Sequence, residues 1–468
     1  MVFSSLPFLF LFLTVVLLVS HILPFRFRNF FLLLANLVFY AYGEPVYVLI
    51  MIGSILVNFF AGLLMDKQTT QGRRRAVLIV GIVLNLAALG VFKYAGLFVD
   101  TLRGIPAFSS LPAVEIALPI GISFYTFQAV SYLIDVYWDD CEASHSFVNF
   151  ACYISLFPQL IAGPIVRYRD VNDQLVSRKE TPTMFNSGVR LFVVGMAKKV
   201  LLANQFGMLW DAMSADPAAA GVIGAWAGAC AYTLQIYFDF AGYSDMARGL
   251  GRMLGFEFCI NFNYPYISKS VTEFWRRWHI SLSSWFRDYV YIPLGGSRVS
   301  RGKQLRNIFV VWLLTGLWHG AEWNFVLWGL FFAVLLMAEK RFFLPALQKH
   351  ALLRRVYMLL VLGVSFVLFN AGSAGEAFSS IAAMFGGGHL PLSSTETVYY
   401  LRSYALVLLL ALVGATPLPR RLAEKLESSR AGGILLSAAE PVALGVLLLV
   451  NTAFLVDGSF NPFLYFRF

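Results

Sequence analysis

A series of apolar stretches, most of them long enough to cross a lipid bilayer, constrains the fold of this chain more than any other feature. They lie near residues 6–24, 29–43, 45–65, 76–98, 148–165, 219–240, 305–318, 323–338, 356–371, 401–416 and 434–456. About 20 helical residues cross the hydrocarbon core, and a lipid-exposed backbone must satisfy its own hydrogen bonds. Less uniform helices are predicted near 111–137 and 186–210. The pattern predicts an all-α polytopic membrane protein with roughly 11–13 transmembrane or partly inserted helices.

The composition and the charge distribution support a membrane protein. The chain is 59% hydrophobic and 13% charged, with a mean hydropathy of +0.70, whereas about a quarter of the residues of a soluble domain are charged. The net charge of +10 comes from basic residues in short loops such as 66–75 and 298–306. Cytoplasmic loops of membrane proteins carry this bias. We therefore expect contact with membrane lipid and no nucleic-acid partner, and we expect one integral-membrane domain over 1–468.

The cysteines and histidines show no metal-binding pattern. The chain has four cysteines without CxxC spacing, so reduced, structural thiols are expected. His319 and Glu322 are three residues apart, but there is no HExxH motif and no second pair with ligand spacing. We therefore predict no metal ion.

The stretch 255–300 is too polar to span a membrane and too aromatic for an ordinary loop. Ser270 and Glu273 form an S-x-x-E capping box, which predicts the start of a helix. On that helix one face is apolar and the opposite face is polar. The apolar face carries Trp275, Trp278, Leu282, Phe286 and Tyr289, and the polar face carries Arg276, Arg277, Ser284, Arg287 and Asp288. The sequence predicts one amphipathic helix, with His279 near its apolar face, that ends at Pro293, Gly295 and Gly296.

Two of the six histidines, His319 and His279, are embedded among tryptophans. Ionisable groups at membrane depth are costly and usually mark a functional cavity. The alternative is an inert histidine within an interfacial aromatic belt. For His319 the residues favour neither reading, and for His279 the inert reading is slightly favoured. A desolvated imidazole is neutral at pH 7 and can accept a proton from a hydroxyl, as a general base does.

Asp239 follows directly on an apolar stretch, in YFDFAGYSDMARGLG at 237–251. A carboxylate at the end of a span usually lies at the membrane interface. Because Asp239 continues the apolar stretch, it remains a candidate site residue.

Several long motifs resemble the membrane-bound O-acyltransferase family, in its bacterial alginate O-acetyltransferase (AlgI-like) branch or a cellulose-acetylating homologue. The motifs are WRRWHISLSSWFRDYVYIPLGG at 275–296, TGLWHGAEWNFVLWG at 315–329, FPQLIAGPIVRY at 157–168 and the stretch 237–251. The likeness covers essentially the whole chain. His319 matches the catalytic histidine of the family, and His279 matches the second polar residue of its site.

The resemblance implies helices around a central tunnel and an O-acetyltransferase of the bacterial inner membrane. It implies acetyl-CoA or another acyl thioester as a cytoplasmic donor substrate, with no permanently bound cofactor. Periplasmic acetyltransferase or esterase-like partners would place the acetyl group on a secreted exopolysaccharide, alginate or cellulose. Further candidates for donor binding or the tunnel wall are Trp275, Arg276, Arg277, Trp278, Arg287, Tyr289, Trp318, Trp323 and Asp239.

Other functions remain open on sequence grounds. Peptidoglycan O-acetylation and teichoic acid D-alanylation are neighbouring acyl transfers. A transporter or flippase of an export complex predicts inverted repeats, which are not evident. A structural scaffold of such a complex would not need either histidine.

Overall fold

The computed structural model describes residues 1–458 and 463–464, and the regular secondary structure of this part of the chain is helical, with no strand. The α-helices are Thr14–Ile22, Phe25–Gly43, Val48–Asp66, Gln71–Leu89, Ala95–Arg103, Ile122–Tyr137, Phe147–Ser155, Phe157–Leu160, Tyr168–Val176, Pro182–Ala197, Asn204–Ala215, Pro217–Met253, Val271–Trp275, Ile280–Phe286, Arg301–His319, Trp323–Ala338, Leu344–Lys349, Ala351–Asn370, Ala374–Met384, Thr395–Ser403, Ala405–Gly414, Leu418–Glu427 and Arg430–Asp457. Turns of π-helix occupy Phe8–Leu13, Gly90–Tyr94, Lys198–Ala203, Arg287–Tyr291 and Glu339–Phe343, and 3₁₀ turns occupy Pro106–Phe108 and Pro265–Ile267.

Five helices in the described residues are long and apolar enough to span a membrane by length and composition. They are Val48–Asp66, Gln71–Arg103, Pro217–Met253, Ala351–Asn370 and Arg430–Asp457. The pair Thr395–Ser403 and Ala405–Gly414, bent by 56°, makes a sixth if it counts as one span. Large apolar side chains on these helices are exposed, for example Val442 at 67% and Leu449 at 72%. Lipid is the solvent that such surfaces require, and the predicted all-α polytopic membrane fold is confirmed.

The chain forms two compact units. The first comprises Met1–Phe192 and Ser244–Cys259, and the second comprises Val193–Tyr243 and Ile260–Phe468. The predicted single domain and central tunnel stay predictions.

In the first unit, the apolar stretch 148–165 is not one span, contrary to the sequence prediction. It forms the short helices Phe147–Ser155 and Phe157–Leu160, followed by turns. The break has a local cause, because Pro158 has no N–H to donate to a continuing helix. The side-chain oxygen of Asn36 accepts the N–H of Phe157 at 3.1 Å, which supplies a partner that a helix would otherwise have provided.

In the second unit, two helices form a tight hairpin that positions the candidate site. They are the His319 helix (Arg301–His319) and the Trp323 helix (Trp323–Ala338). A Cβ added at Gly316 would run into the carbonyl oxygen of Phe325, and one at Gly329 into that of Trp312. Small residues allow such close approach of membrane helices, so the two glycines set the spacing of this hairpin.

The predicted amphipathic helix over 270–292 is wrong as one continuous element. It consists of the Val271 helix (Val271–Trp275), the Ile280 helix (Ile280–Phe286) and a π turn at Arg287–Tyr291. Between the two helices the backbone of His279 is left-handed, with φ 44°. The predicted capping hydrogen bond is confirmed, because Ser270 Oγ accepts the N–H of Glu273 at 3.1 Å.

The break arises from hydrogen bonds to a distant segment of the same unit. The N–H of Ile280 donates to the carbonyl of Asn261 at 2.9 Å, and the N–H of Asn263 donates to the carbonyl of Arg277 at 2.9 Å. These bonds use backbone groups that a continuous helix would pair internally. The predicted division of faces nevertheless holds. Trp275, Trp278, Leu282, Phe286 and Tyr289 are all buried, and Arg276 and Arg287 are exposed.

Candidate active site

His319 is the last residue of its helix and is 5% exposed. Three aromatic rings surround its imidazole edge to face. The ring centroids lie 4.9 Å from Trp318, 5.0 Å from Trp328 and 5.4 Å from Phe369. Gly320 follows in an extended conformation and ends the helix. The imidazole is therefore held within an apolar aromatic wall.

His279 is 1% exposed, and its ring is fixed by Asn261. The side-chain oxygen of Asn261 accepts from Ser281 N at 3.2 Å, from Ser281 Oγ at 2.9 Å and from His279 Nδ1 at 3.2 Å. A backbone N–H can only donate, so the Asn261 atom at this point is the oxygen, and Nδ1 must carry the proton. Nε2 is consequently the basic nitrogen of His279. His279 lies outside the long apolar helices, and burial lowers its pKa to about 3.

Trp318 brings the two candidate histidines together. Its ring centroid lies 5.8 Å from that of His279 and 4.9 Å from that of His319. Phe240, from the long helix Pro217–Met253, contacts His279 edge to face at 4.6 Å. Trp323, by contrast, is 55% exposed at the first position of its helix. Of these two tryptophans, it is therefore Trp318 that contacts both imidazoles.

Trp275 and Trp278 extend the aromatic wall on two sides. Trp275 contacts Trp312 at 4.6 Å and Trp328 at 5.6 Å. Trp278 stacks on Phe274 at 5.4 Å and meets other aromatic rings of the second unit. Both indoles are buried, at 8% and 4% exposure.

The candidate arginines of this region lie at the surface. Arg277 donates to the Glu273 carboxylate at 2.9 Å and to the Asn263 carbonyl at 3.1 Å. Arg287 pairs with Asp288 at 2.6 Å, and the Arg276 side chain is exposed. Tyr289 is buried against Trp285, with ring centroids 5.1 Å apart.

The position of Asp239 at the end of an apolar stretch suggested an interfacial carboxylate. In the structure its side chain is buried instead, at 1% exposure. Its Oδ1 lies 2.5 Å from Lys199 Nζ, and its Oδ2 accepts the N–H of Leu464 at 2.7 Å. Phe463 stacks on Tyr243 at 4.9 Å and contacts Phe240 at 5.7 Å. Asp239 therefore joins the helix Pro217–Met253 to the π turn Lys198–Ala203 and to the described part of the C-terminal segment.

The sequence reasoning missed Asn261, Lys199 and Glu339, which organise this region. Asn261 lies in an irregular segment 18 positions before His279, and no local pattern links the two. Lys199 and Glu339 are each nearly or fully buried, at 4% and 0% exposure. Each belongs to a π turn, but a π turn has no sequence signature that would have identified them. A buried charge within an apolar stretch was the available signal.

Two sequence predictions concern the cysteines and metal ions, and the prediction that no metal ion is bound stays a prediction. All four cysteines are free thiols, as predicted. Within residues 1–458 and 463–464, no group of three or more His, Cys, Asp or Glu side chains is arranged to hold a metal ion.

Comparison with known sequences identifies the class of protein to which this helical membrane fold belongs. A sequence profile of the membrane-bound O-acyltransferase (MBOAT) family matches residues 141–371, a stretch that includes both candidate histidines. The chain belongs to this family and is an O-acyltransferase. It is a multi-pass protein of the inner membrane, and its reaction requires an acyl donor substrate.

The relatives place the chain in the AlgI-like branch of the family. The probable alginate O-acetylase AlgI of Azotobacter vinelandii is 41% identical over 503 aligned residues, which cover 100% of both chains. The corresponding protein of Pseudomonas aeruginosa is 45% identical over 400 residues, 84% of this chain and 76% of the relative. A peptidoglycan O-acetyltransferase of Helicobacter pylori is 32% identical over 392 residues, 77% of this chain and 74% of the relative.

Proposed function

We propose that this chain is a membrane O-acetyltransferase that moves acetyl groups across the inner membrane for O-acetylation of a secreted exopolysaccharide, alginate or cellulose. The observation that carries the proposal is the pair of buried imidazoles, His279 and His319, which both contact the Trp318 indole. Their identity as the reacting groups, and a catalytic core at about 115–340, are part of the proposal. The high identity to probable alginate O-acetylases over the full chain supports the choice of polymer.

In the proposed reaction His319 acts as the general base. Its imidazole takes the proton of an acceptor hydroxyl while the hydroxyl oxygen attacks the carbonyl carbon of an acetyl thioester. The C–O bond forms, the C–S bond breaks, and the proton passes from the imidazole to the departing thiolate. Burial at 5% exposure supports this role, because an ionisable group buried at membrane depth usually marks function.

His279 is proposed to act through Nε2, since its Nδ1 is committed to Asn261. A neutral Nε2 can accept a hydrogen bond from the acceptor hydroxyl and hold it for attack. Orientation of this kind accounts for a large part of many enzymatic rate enhancements. The aromatic wall of Trp275, Trp278 and Trp318 excludes water that would hydrolyse the thioester.

The donor is proposed to be acetyl-CoA or another acyl thioester from the cytoplasm. The exposed Arg276 and the basic loop 298–306 can attract the phosphates of such a donor, because guanidinium groups bind phosphate well. Acetyl then leaves to periplasmic acetyltransferase or esterase-like partners that place it on the polymer. Arg277, Arg287, Tyr289, Trp323 and Asp239 remain lower-ranked candidates for donor binding.

The decisive experiment measures acetyl on exported polysaccharide in a strain whose own copy is replaced by His319→Ala. We expect acetylation to fall at least ~100-fold, the lower range of losses for a general base, with unchanged membrane levels of the protein. His350→Ala, the same change at an exposed histidine, is the matched control and is expected to be silent. Normal acetylation in the His319 variant would remove this residue from the catalytic role.

Peptidoglycan is the second candidate acceptor, because a peptidoglycan O-acetyltransferase shares 32% identity over most of the chain. The same strains distinguish the polymers when O-acetyl content is measured separately on exopolysaccharide and on purified sacculi. Loss confined to the sacculi would transfer the proposal to peptidoglycan. The transporter alternative is tested by giving radiolabelled acetyl-CoA to the purified protein. The proposed enzyme is expected to turn over this thioester, whereas a transporter is not.

A further inference from the structure

Glu339 is a buried carboxylate that belongs to neither candidate histidine segment. It follows the Trp323 helix, begins the π turn Glu339–Phe343 and is 0% exposed. Four donors converge on its two oxygens. They are Val271 N at 2.7 Å, Thr272 N at 3.0 Å, Thr272 Oγ1 at 2.7 Å and Tyr357 Oη at 3.3 Å. Three of these donors belong to the first two residues of the Val271 helix.

The Val271 helix depends on such an external partner. The first backbone N–H groups of a helix have no acceptor within the helix. Ser270 Oγ serves only the N–H of Glu273, whereas Glu339 serves those of Val271 and Thr272. A helix of five residues has no appreciable stability by itself, so its position is set by tertiary contacts.

The other end of the Val271 helix packs on the same Trp323 helix. Trp275 lies 5.6 Å from Trp328 and 4.9 Å from Phe332, measured between ring centroids. Trp328 in turn contacts His319 at 5.0 Å. Glu339 therefore holds the start of the Val271 helix. Its end is held by the packing of Trp275 on Trp328, which in turn contacts the imidazole of His319.

The positions of both candidate histidines thus depend on one element, the Trp323 helix with its π turn. His319 reaches it through Trp328, and His279 follows the Val271 helix by four residues. The left-handed backbone at His279 is not a conformation that local propensity maintains. A shift of the Val271 helix would consequently be passed on to the His279 ring.

We propose that Glu339 is a positioning residue, which anchors the Val271 helix and thereby sets the placement of His279 relative to His319. It acts through the helix and touches no reacting atom. The inference rests on the proposed function of the two histidines for its catalytic consequence, but the anchor itself can be measured without any activity.

The experiment compares wild type with Glu339→Gln and Glu339→Leu in lipid nanodiscs. Glutamine keeps the shape and one acceptor oxygen, whereas leucine removes both acceptors. Glu376→Leu is the matched control, because Glu376 is an exposed glutamate. Its carboxylate accepts one backbone hydrogen bond, from the N–H of Gly372 at 3.0 Å. Glu339→Gln serves if the leucine variant fails to accumulate, and Thr272→Val removes only the hydroxyl donor, leaving both backbone donors in place.

Hydrogen exchange of the 271–275 amides is the readout for the anchor. We expect the exchange rate to rise at least ~10-fold in Glu339→Leu, because amides that lose a native hydrogen bond exchange faster. The rise is expected to be smaller in Glu339→Gln and absent in the control. Unchanged exchange in Glu339→Leu would overturn the proposal, and so would unchanged exchange in Glu339→Gln if that is the only variant of Glu339 that folds.

Turnover of radiolabelled acetyl-CoA separates positioning from a merely structural role. Displacement by about 1 Å costs about 100-fold in rate, so kcat is expected to fall ~100-fold in Glu339→Leu and ~10-fold in Glu339→Gln, with KM within about twofold. Equal kcat per folded molecule in all variants would refute the positioning role. If wild type itself shows no turnover, the proposed donor fails, and hydrogen exchange still decides the anchor.

Discussion

Asn261→Asp changes the charge beside His279 with almost no change in shape. The Asn261 oxygen already accepts three hydrogen bonds, two from Ser281 and one from His279 Nδ1. A carboxylate can accept all three, so we expect the fold to be retained. What changes is the protonation of the imidazole, because a negative charge at 3.2 Å stabilises the imidazolium.

The expected size of the effect follows from the burial of His279. Burial lowers its pKa to about 3, so in the wild type the ring is neutral throughout the range from pH 5 to 8. An opposite charge within hydrogen-bonding distance raises a pKa by about 1 to 3, which gives roughly 4 to 6 in the variant. Activity that requires neutral Nε2 is lost as the pH falls through the pKa, so the raised pKa moves this loss to higher pH.

The assay is the pH dependence of acetyl-CoA turnover by purified protein from about pH 4 to 8. We expect a flat acid side in the wild type and, in Asn261→Asp, a decline whose midpoint lies between about pH 4 and 6. Asn263→Asp makes the same change at an exposed position two residues along and controls for general charge effects. Identical profiles for the two variants would refute the assignment of Nε2 as the functional nitrogen.

Two further predictions concern stability, measured by thermal unfolding in detergent. Gly329→Ala pushes a Cβ into the Trp312 carbonyl and is expected to cost about 1–3 kcal/mol, whereas Gly53→Ala faces open space and is expected to be neutral or stabilising by up to ~1 kcal/mol. If both variants change the stability equally, close packing at Gly329 does not set the spacing of the two helices in the hairpin. Asp239→Asn leaves the Lys199 ammonium buried and is expected to cost about 3–5 kcal/mol. Adding Lys199→Met should recover most of that loss. A double variant no more stable than Asp239→Asn alone would argue against the ion pair.

The sequence was sufficient for features that depend on composition and local patterns. Apolar stretches predicted the membrane helices, because lipid admits few alternatives for the backbone. The Ser270 cap was predictable because its partner, Glu273, is three residues away. The burial of Trp275 and Trp278 followed from helical periodicity, which survives the break in the helix.

Features that depend on distant partners were not predictable. The left-handed turn at His279 requires the segment at Asn261, and the anchor of the Val271 helix requires Glu339, 68 positions along the chain. Periodicity cannot report such pairings, since it describes one element at a time. The break at Pro158 was signalled locally, but the surrounding apolar residues concealed it.

The left-handed backbone at His279 has a cost in stability that bears on the role proposed for this residue. This conformation costs a residue with a Cβ about 1–2 kcal/mol, and glycine pays none of it. Selection for stability alone would therefore favour glycine there and delete the imidazole. Under the proposed function, a histidine at this position reflects a stability–activity trade-off, and a thermostabilised variant that replaces residue 279 is expected to lose activity.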